Sequence, residues 1–327
     1  MDPLTANRIL TDVVEMTGFD PDTTQDPDFR LREAGVVRGI VMRGEYQNTP
    51  AYLKLILEES GEGEITRAKW LASQLTAGQF RVPAVLDHGC HLGQCWMIIQ
   101  DVGERQVIGN AYPIATPEQK AEMAKVFWLM TSAFPQPTEE KREPQEYDAS
   151  LWFAWKVTEW LRIGEGYSTF EQGVISRDEI HGAQRRIQQI CASKIAMRFT
   201  HSHFSNEELR KNEKGAYWII DFGATRWRPE MYDAAFCMWR VGMHLWKLGN
   251  DAFVNEMCKW QDAFDWASPG SVKTNESRRP LRACLIERCI GALAIDIGGE
   301  RGVVATLSQE ERSQLLTNWR AYLVSLL

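Results

Sequence analysis

The 327-residue sequence has no surplus of positive charge: 37 lysines and arginines stand against 44 aspartates and glutamates, a formal net charge of -7 with an isoelectric point near 5.5. Such a chain has no general attraction for nucleic-acid phosphate or anionic lipid, and no long basic run supplies a local one. Neither nucleic acid nor membrane is expected as a partner. Long apolar runs are missing too. The opening MDPLTANRILTDVVEMTGFD carries acids where a secretion signal would be basic, and the greasiest later stretch, LIERCIGALAIDIGG, is broken by charges, so no membrane span is expected. The seven cysteines form no C-x-x-C pair and mostly sit inside apolar segments, which suits reduced thiols in a cytoplasmic protein. Internal repeats and low-complexity tracts are absent, and no feature sets the oligomeric state.

What is present is ordinary for a globular chain, 44% hydrophobic and 25% charged, with length enough for one large or two modest cores. Residues 5 to 18 space Leu10, Val13, Val14 and Met16 as a helix does, and the proline-rich and aspartate-rich FDPDTTQDPDF ends it. The runs VVRGIVMR and AYLKLIL, separated by GEYQNTP, predict a hairpin or meander. EITRAKWLASQL puts Ile65, Ala68, Leu71, Ala72 and Leu75 on one helical face. VPAVLDHG and QCWMIIQDV then read as two further strands. Beyond about residue 103 the pattern turns helical. Thr116, Pro117 and Gln119 form a capping-box start, Ile180, Ala183, Ile187 and Ile190 form one stripe, and Ser308 with Glu311 caps a last helix. Inside this half lies one β interruption, AYWIIDFG, after the turn-like NEKG. The expected organisation is a helix and linker over 1–28, a small antiparallel β lobe with one helix over 29–102, and a mainly helical lobe over 103–327, an α+β chain.

Two polar clusters invite chemistry. In LDHGCHLGQCW, His88, Cys90, His91 and Cys95 are zinc-ligand types, but their spacing matches no pair-plus-pair pattern and a turn between strands explains them as well. In FTHSHFSNEEL, residues 199 to 209, His201 and His203 with Glu207 or Glu208 offer ligands to a transition metal, without a clear third nitrogen or sulfur.

Taken in order, AYLKL, VPAVLDHG, WMIIQDVG, FTHSHF, WIIDFG and PEMYDAAF resemble the protein-kinase-like fold. More narrowly they resemble the aminoglycoside phosphotransferase and choline kinase branch, whose catalytic loop runs roughly H-G-D-x-x-x-x-N and whose metal strand ends in I-D-[FW]-G. The resemblance spans residues from about 29 to 240. It implies a two-lobed kinase-like fold that uses ATP and magnesium to phosphorylate a small-molecule acceptor. Lys54 then matches the lysine on the nucleotide phosphates, and Glu64 the glutamate that pairs with it, with Glu58, Glu59 and Glu62 as neighbouring competitors. Standing alone, Lys54 reads as a solvated strand charge and Glu64 as a first-turn acid favoured by the helix dipole. Gly35 and Gly39 occupy the place of the phosphate-covering turn, and the backbone of Gln100, Asp101 and Val102 that of the adenine-contacting hinge. Asp221 matches the metal-binding aspartate, and Asp233 the aspartate that braces the catalytic loop.

On the family loop, His201 takes the place of the histidine, Ser202 of the glycine, His203 of the catalytic aspartate and Glu208 of the metal-binding asparagine. A neutral imidazole can accept the proton of an attacking hydroxyl, but it brings no negative charge. Glu208 keeps an oxygen ligand for magnesium, whereas Asn206 in that role needs a shorter loop. Two functions follow. One is an ATP-dependent phosphotransferase moving the γ-phosphate to a hydroxyl or amino group of a small molecule, with His203 as base. The other is a catalytically inactive pseudokinase that binds nucleotide or a protein partner. In the first case Trp152, Trp155 and Trp160 could line an acceptor pocket, though their spacing also suits the helical core, and Arg226 and Arg228 could attract an anionic acceptor or be solvated loop charges.

Overall fold

Asp2 opens helix α1 (Pro3–Thr17) by accepting from the Thr5 N–H, proline sits in the first turn where no helical N–H is missed, and Gly18 closes the helix at φ 69°. The computed structural model describes residues 1–31, 36–57, 61–75, 78–103, 105–108, 114–138, 142–191, 194–267 and 278–327. After α1 come β1 (Asp20–Pro21), β2 (Asp28–Leu31), β3 (Val37–Tyr46) and β4 (Thr49–Ile56), then α2 (Gly61–Gln74), β5 (Phe80–Arg81), β6 (Val85–His91) and β7 (Gln94–Gln100). Helices α3 (Pro117–Ala133), α4 (Ala149–Gly166) and α5 (Arg177–Cys191) follow. The short strands β8 (Met197–Thr200), β9 (Leu209–Lys211), β10 (Tyr217–Ile219) and β11 (Arg226–Pro229) precede α6 (Tyr232–Met243), α7 (Asn250–Trp266), α8 (Arg279–Gly291) and α9 (Gln309–Leu326).

The chain divides into two compact units, Met1–Arg105 with Leu209–Ala224, and Gln106–Glu208 with Thr225–Leu327. In the first, the β-rich unit, antiparallel strands run in the order β1-β3-β4-β7-β6 with β2 beside β3. Alternation along β4 sends Ala51, Leu53 and Leu55 into one core with Ala6, Ile9, Leu10 and Val13 of α1. Each such buried Ile, Leu or Val contributes about 1.5–3 kcal/mol. Lys54 therefore falls on the other face of β4. Helix α2 packs on β6 and β7 through a face that includes the buried Ile65, Ala68 and Leu71. Although residues 209–224 lie within the helical half of the sequence, β10 pairs with β5 in parallel and with β9 antiparallel, so this segment belongs to the β-rich unit.

The second, helical unit holds α3 to α9 and the antiparallel pair β8 and β11. The capping boxes read from Thr116 and Ser308 are both formed, at the starts of α3 and α9. Among the described residues no helix is long and apolar enough to cross a membrane.

Candidate active site

In the β-rich unit three charged side chains meet. Lys54 on β4 is 21% exposed, and its Nζ donates to Glu64 Oε1 at 2.5 Å and to Asp221 Oδ1 at 3.0 Å. Glu64 stands in the first turn of α2 and is nearly buried. Asp221 follows β10, whose Tyr217 and Ile219 are buried, and takes φ 63°, a left-handed conformation that side chains avoid unless the surroundings hold it. Burial works against the ammonium charge, yet the Asp221 and Glu64 carboxylates outweigh it, and the Lys54 pKa is pushed up to about 12. Gly223 keeps this cluster open, because a Cβ there would lie 3.1 Å from Glu64 Oε2. Arg67, one turn along α2 from Glu64, donates from Nη2 to the Gly223 carbonyl at 3.3 Å.

Of the competing glutamates, Glu58 and Glu59 lie outside the described residues, while Glu62 is exposed beside Cys90 and Cys95. Gly35 also lies outside the described residues. Gly39 sits inside β3 opposite Ile56, where a Cβ would stand 3.0 Å from the Leu55 carbonyl oxygen. The Gln100 and Asp101 N–H groups donate to the carbonyls of Ala84 and Pro50. The Asp101 side chain is held by Arg43 at 3.0 Å and by the Gly103 N–H at 2.7 Å, and Val102 follows in irregular backbone.

In the helical unit the loop after β8 is fixed from several sides. His201, Ser202, Ser205 and Asn206 are buried, and Ser202 takes φ 67°, which explains why a glycine would suit that position. The Asn206 amide accepts from the Ile108 N–H at 3.1 Å and donates to Gln106 Oε1 at 2.9 Å. Glu207 is gripped by Arg240 of α6 through two hydrogen bonds of 3.0 and 2.7 Å and accepts from Ser205. Asn206 and Glu207 thus act as structural braces. Glu208, half-buried, ends the short 3-10 turn Asn206–Glu208. His203 is exposed and stacks on Phe236 of α6, with ring centroids 5.0 Å apart and planes at 22°.

Asp233 lies in the first turn of α6, 1% exposed. Burial raises its carboxyl pKa to about 7, against the pull of the backbone N–H groups of Phe204, Ser202 and His201 that face it. None of these reaches full hydrogen-bond geometry, and both carboxyl oxygens are without a complete partner. The Asp233 carboxyl thus lies buried behind the loop backbone, where burial favours its neutral form.

Of the four hairpin zinc candidates only Cys90 and Cys95 come together. His88 Nε2 lies 2.6 Å from Lys69 Nζ and His91 Nε2 lies 3.2 Å from Asp12, and the metal-type cluster among the described residues is Glu62 with Cys90 and Cys95. Among the described residues no such cluster includes His201 or His203. Trp152 is fully buried core, whereas Trp155 is 38% exposed and Trp160 donates to Glu287 at 2.8 Å. The Arg228 guanidinium lies over the rings of Trp152 and Tyr232, each at 5.4 Å, while Arg226 is exposed. Phe236, Arg240 and Arg67 were not singled out by the sequence. Only Arg67, at helical spacing from Glu64, carried a signal that could have found it.

Neither a protein-family model nor a curated protein sequence matches the chain. Solved structures do. An amicoumacin kinase bound to AMP-PNP, calcium and its ligand shares a TM-score of 0.62 at 10% identity, covering 98% of this chain and 93% of that one. A thermostable mutant of aminoglycoside phosphotransferase APH(4)-Ia with ADP and hygromycin B gives 0.57 at 12% identity over 95% and 97%. Spectinomycin phosphotransferase APH(9)-Ia with ADP and spectinomycin gives 0.54 at 13% over 96% and 93%. The chain has the protein-kinase-like fold.

Proposed function

We propose that the protein is an ATP-dependent phosphotransferase that moves the γ-phosphate to a hydroxyl or amino group of a small molecule. The observation that carries this reading is Lys54 Nζ held between Glu64 and Asp221. An ammonium that stays charged far above neutral pH, oriented by one nearly buried and one half-exposed carboxylate, is suited to grip the oxygens of a nucleotide polyphosphate. Solved structures of the same fold with ADP, or with AMP-PNP and calcium, support that use of the fold.

Asp221 fits a hard divalent cation, because it is an oxygen donor at a strand end and its side chain is 40% exposed. Asp221 would be a ligand to magnesium, which when bound supplies charge neutralisation to the phosphate oxygens, and Glu208 is the second oxygen ligand that the family loop implies. Glu64 keeps Lys54 in place, and the backbone of Gln100 and Asp101 would contact a base. Asp233 backs the loop that carries His201 and His203, and His203 takes the proton of the acceptor as it attacks. The acceptor is a small molecule carrying that hydroxyl or amino group. The cytoplasm is the compartment where a nucleotide donor and reduced cysteines fit together.

A second reading, a pseudokinase that binds nucleotide or a protein partner without transfer, is favoured by one observation. His203 offers no carboxylate and lies flat on Phe236. Incubation with γ-labelled ATP, magnesium and a panel of small hydroxylated and amino compounds separates the two. Label transferred to any acceptor supports the enzyme, and nucleotide binding without transfer or hydrolysis supports the silent form.

A further inference from the structure

The β6–β7 hairpin carries a pair of thiols that the proposed reaction does not use. Its turn is only Leu92 and Gly93, at φ 49° and 76°, as a type I′ turn requires. His91 faces Gln94 across that turn, and Cys90 faces Cys95 one step further out. In a two-residue hairpin the residues flanking the turn are a hydrogen-bonded pair. The next pair is therefore non-hydrogen-bonded, with Cα atoms about 4.5 Å apart and side chains closest. That separation falls inside the range of about 4.4–6.8 Å that a disulfide spans. The two sulfurs are already 3.1 Å apart, and among the described residues no other two sulfurs are hydrogen-bonded. Cys90 is exposed and Cys95 is buried. Cys95 also packs on the first residue of α2, where a Cβ on Gly61 would come within 2.8 Å of its own Cβ.

We propose that Cys90 and Cys95 are a redox-active dithiol, converted by a small-molecule disulfide into an internal disulfide. The exposed Cys90 thiolate attacks one sulfur of the oxidant, whose S–S bond breaks, and the expelled thiolate takes up the proton that Cys90 lost. Cys95 then attacks the Cys90 sulfur, the mixed bond breaks, and the second thiol leaves with the Cys95 proton. The protein gives up two hydrogens and the oxidant gains them as two thiols. The order follows from access, and it agrees with the Cys95 thiol being pushed up to about 11 by burial and by its bond to Cys90. Glu62 lies with both sulfurs inside a 4.8 Å cluster. A zinc ion would need a fourth ligand, and the neighbouring imidazoles of His88 and His91 are directed to Lys69 and Asp12.

The test equilibrates the full chain in glutathione buffers of rising oxidised fraction, then alkylates under denaturing conditions and maps the tryptic peptides by mass. Cys90 and Cys95 share the peptide between Arg81 and Arg105. The expected result is that this peptide appears two hydrogens lighter and unalkylated while the other five cysteines are alkylated. Cys95→Ser is expected to stop at one glutathione on Cys90. Full alkylation of both positions at every ratio overturns the proposal, as does wild type that keeps glutathione on Cys90 without closing the internal bond. Stoichiometric zinc that protects both thiols also overturns it.

Discussion

Lys54 in the β-rich unit is held by two carboxylates at 2.5 and 3.0 Å, whereas His203 in the helical unit is exposed and rests on an aromatic ring. The first cluster brings together the lysine, glutamate and aspartate that the sequence resemblance led one to expect together. The second carries an imidazole where the resemblance expects a carboxylate, on a loop that is held by Asn206 and the Glu207–Arg240 pair. The two clusters depend on different elements and different contacts, so a change in one need not disturb the other. The braced loop also shows that substitution at His203 need not loosen the backbone that presents it.

The comparison breaks most visibly at His203. If the imidazole is the base, His203→Ala should lower transfer by about 10² to 10⁴-fold, measured as label moved to acceptor, while His203→Asp retains it. Transfer that is unchanged in His203→Ala removes the helical unit's loop from proton handling.

Asp233 gives the next largest effect. Its pKa rises from 3.8 to about 7 on folding, so the stability it allows is fully present below about pH 4 and is lost as pH rises towards 7, by something on the order of 4 kcal/mol. Asp265 and Asp296 are also raised, to about 6, and add slope of the same sign. The difference between wild type and Asp233→Asn in urea unfolding at pH 4, 5.5 and 7.5 isolates the Asp233 share. The same slope in both proteins would show that Asp233 is not the titrating group.

Asn206→Ala leaves the Ile108 N–H and Gln106 without their partner and should cost about 1–3 kcal/mol of stability, read by the same unfolding measurement. Smallest is Gly223→Ala. A Cβ at 3.1 Å from Glu64 Oε2 forces that carboxylate aside, with a loss of about 1 kcal/mol. Its effect on nucleotide binding should exceed its effect on folding.

The β-rich unit was legible because alternation in AYLKL and the strand end WIIDFG are local signals: the first sets Lys54 on the face of β4 away from the core, and the second delivers Asp221 just beyond β10. Thr116 and Ser308 were legible as caps for the same reason. Helix α8 was not, since nearly every residue from Leu281 to Gly291 is buried and a helix buried all round shows no stripe. Nor were the strands β8 and β11, four residues each, whose pairing is set by tertiary contact. At the site, the choice of Glu64 over Glu62 depended on which side of the first turn of α2 faces Lys54. The roles of Asn206 and Glu207 depended on partners up to 100 positions away, which no local pattern encodes.

The most direct measurement is thermal or denaturant stability with and without ATP and magnesium, on wild type, Lys54→Met and Asp221→Asn. With ligand at a hundredfold over its dissociation constant, wild type should gain about 2.7 kcal/mol and both variants should gain almost nothing. No gain in wild type, or an equal gain in all three, would contradict a nucleotide held by this lysine and aspartate.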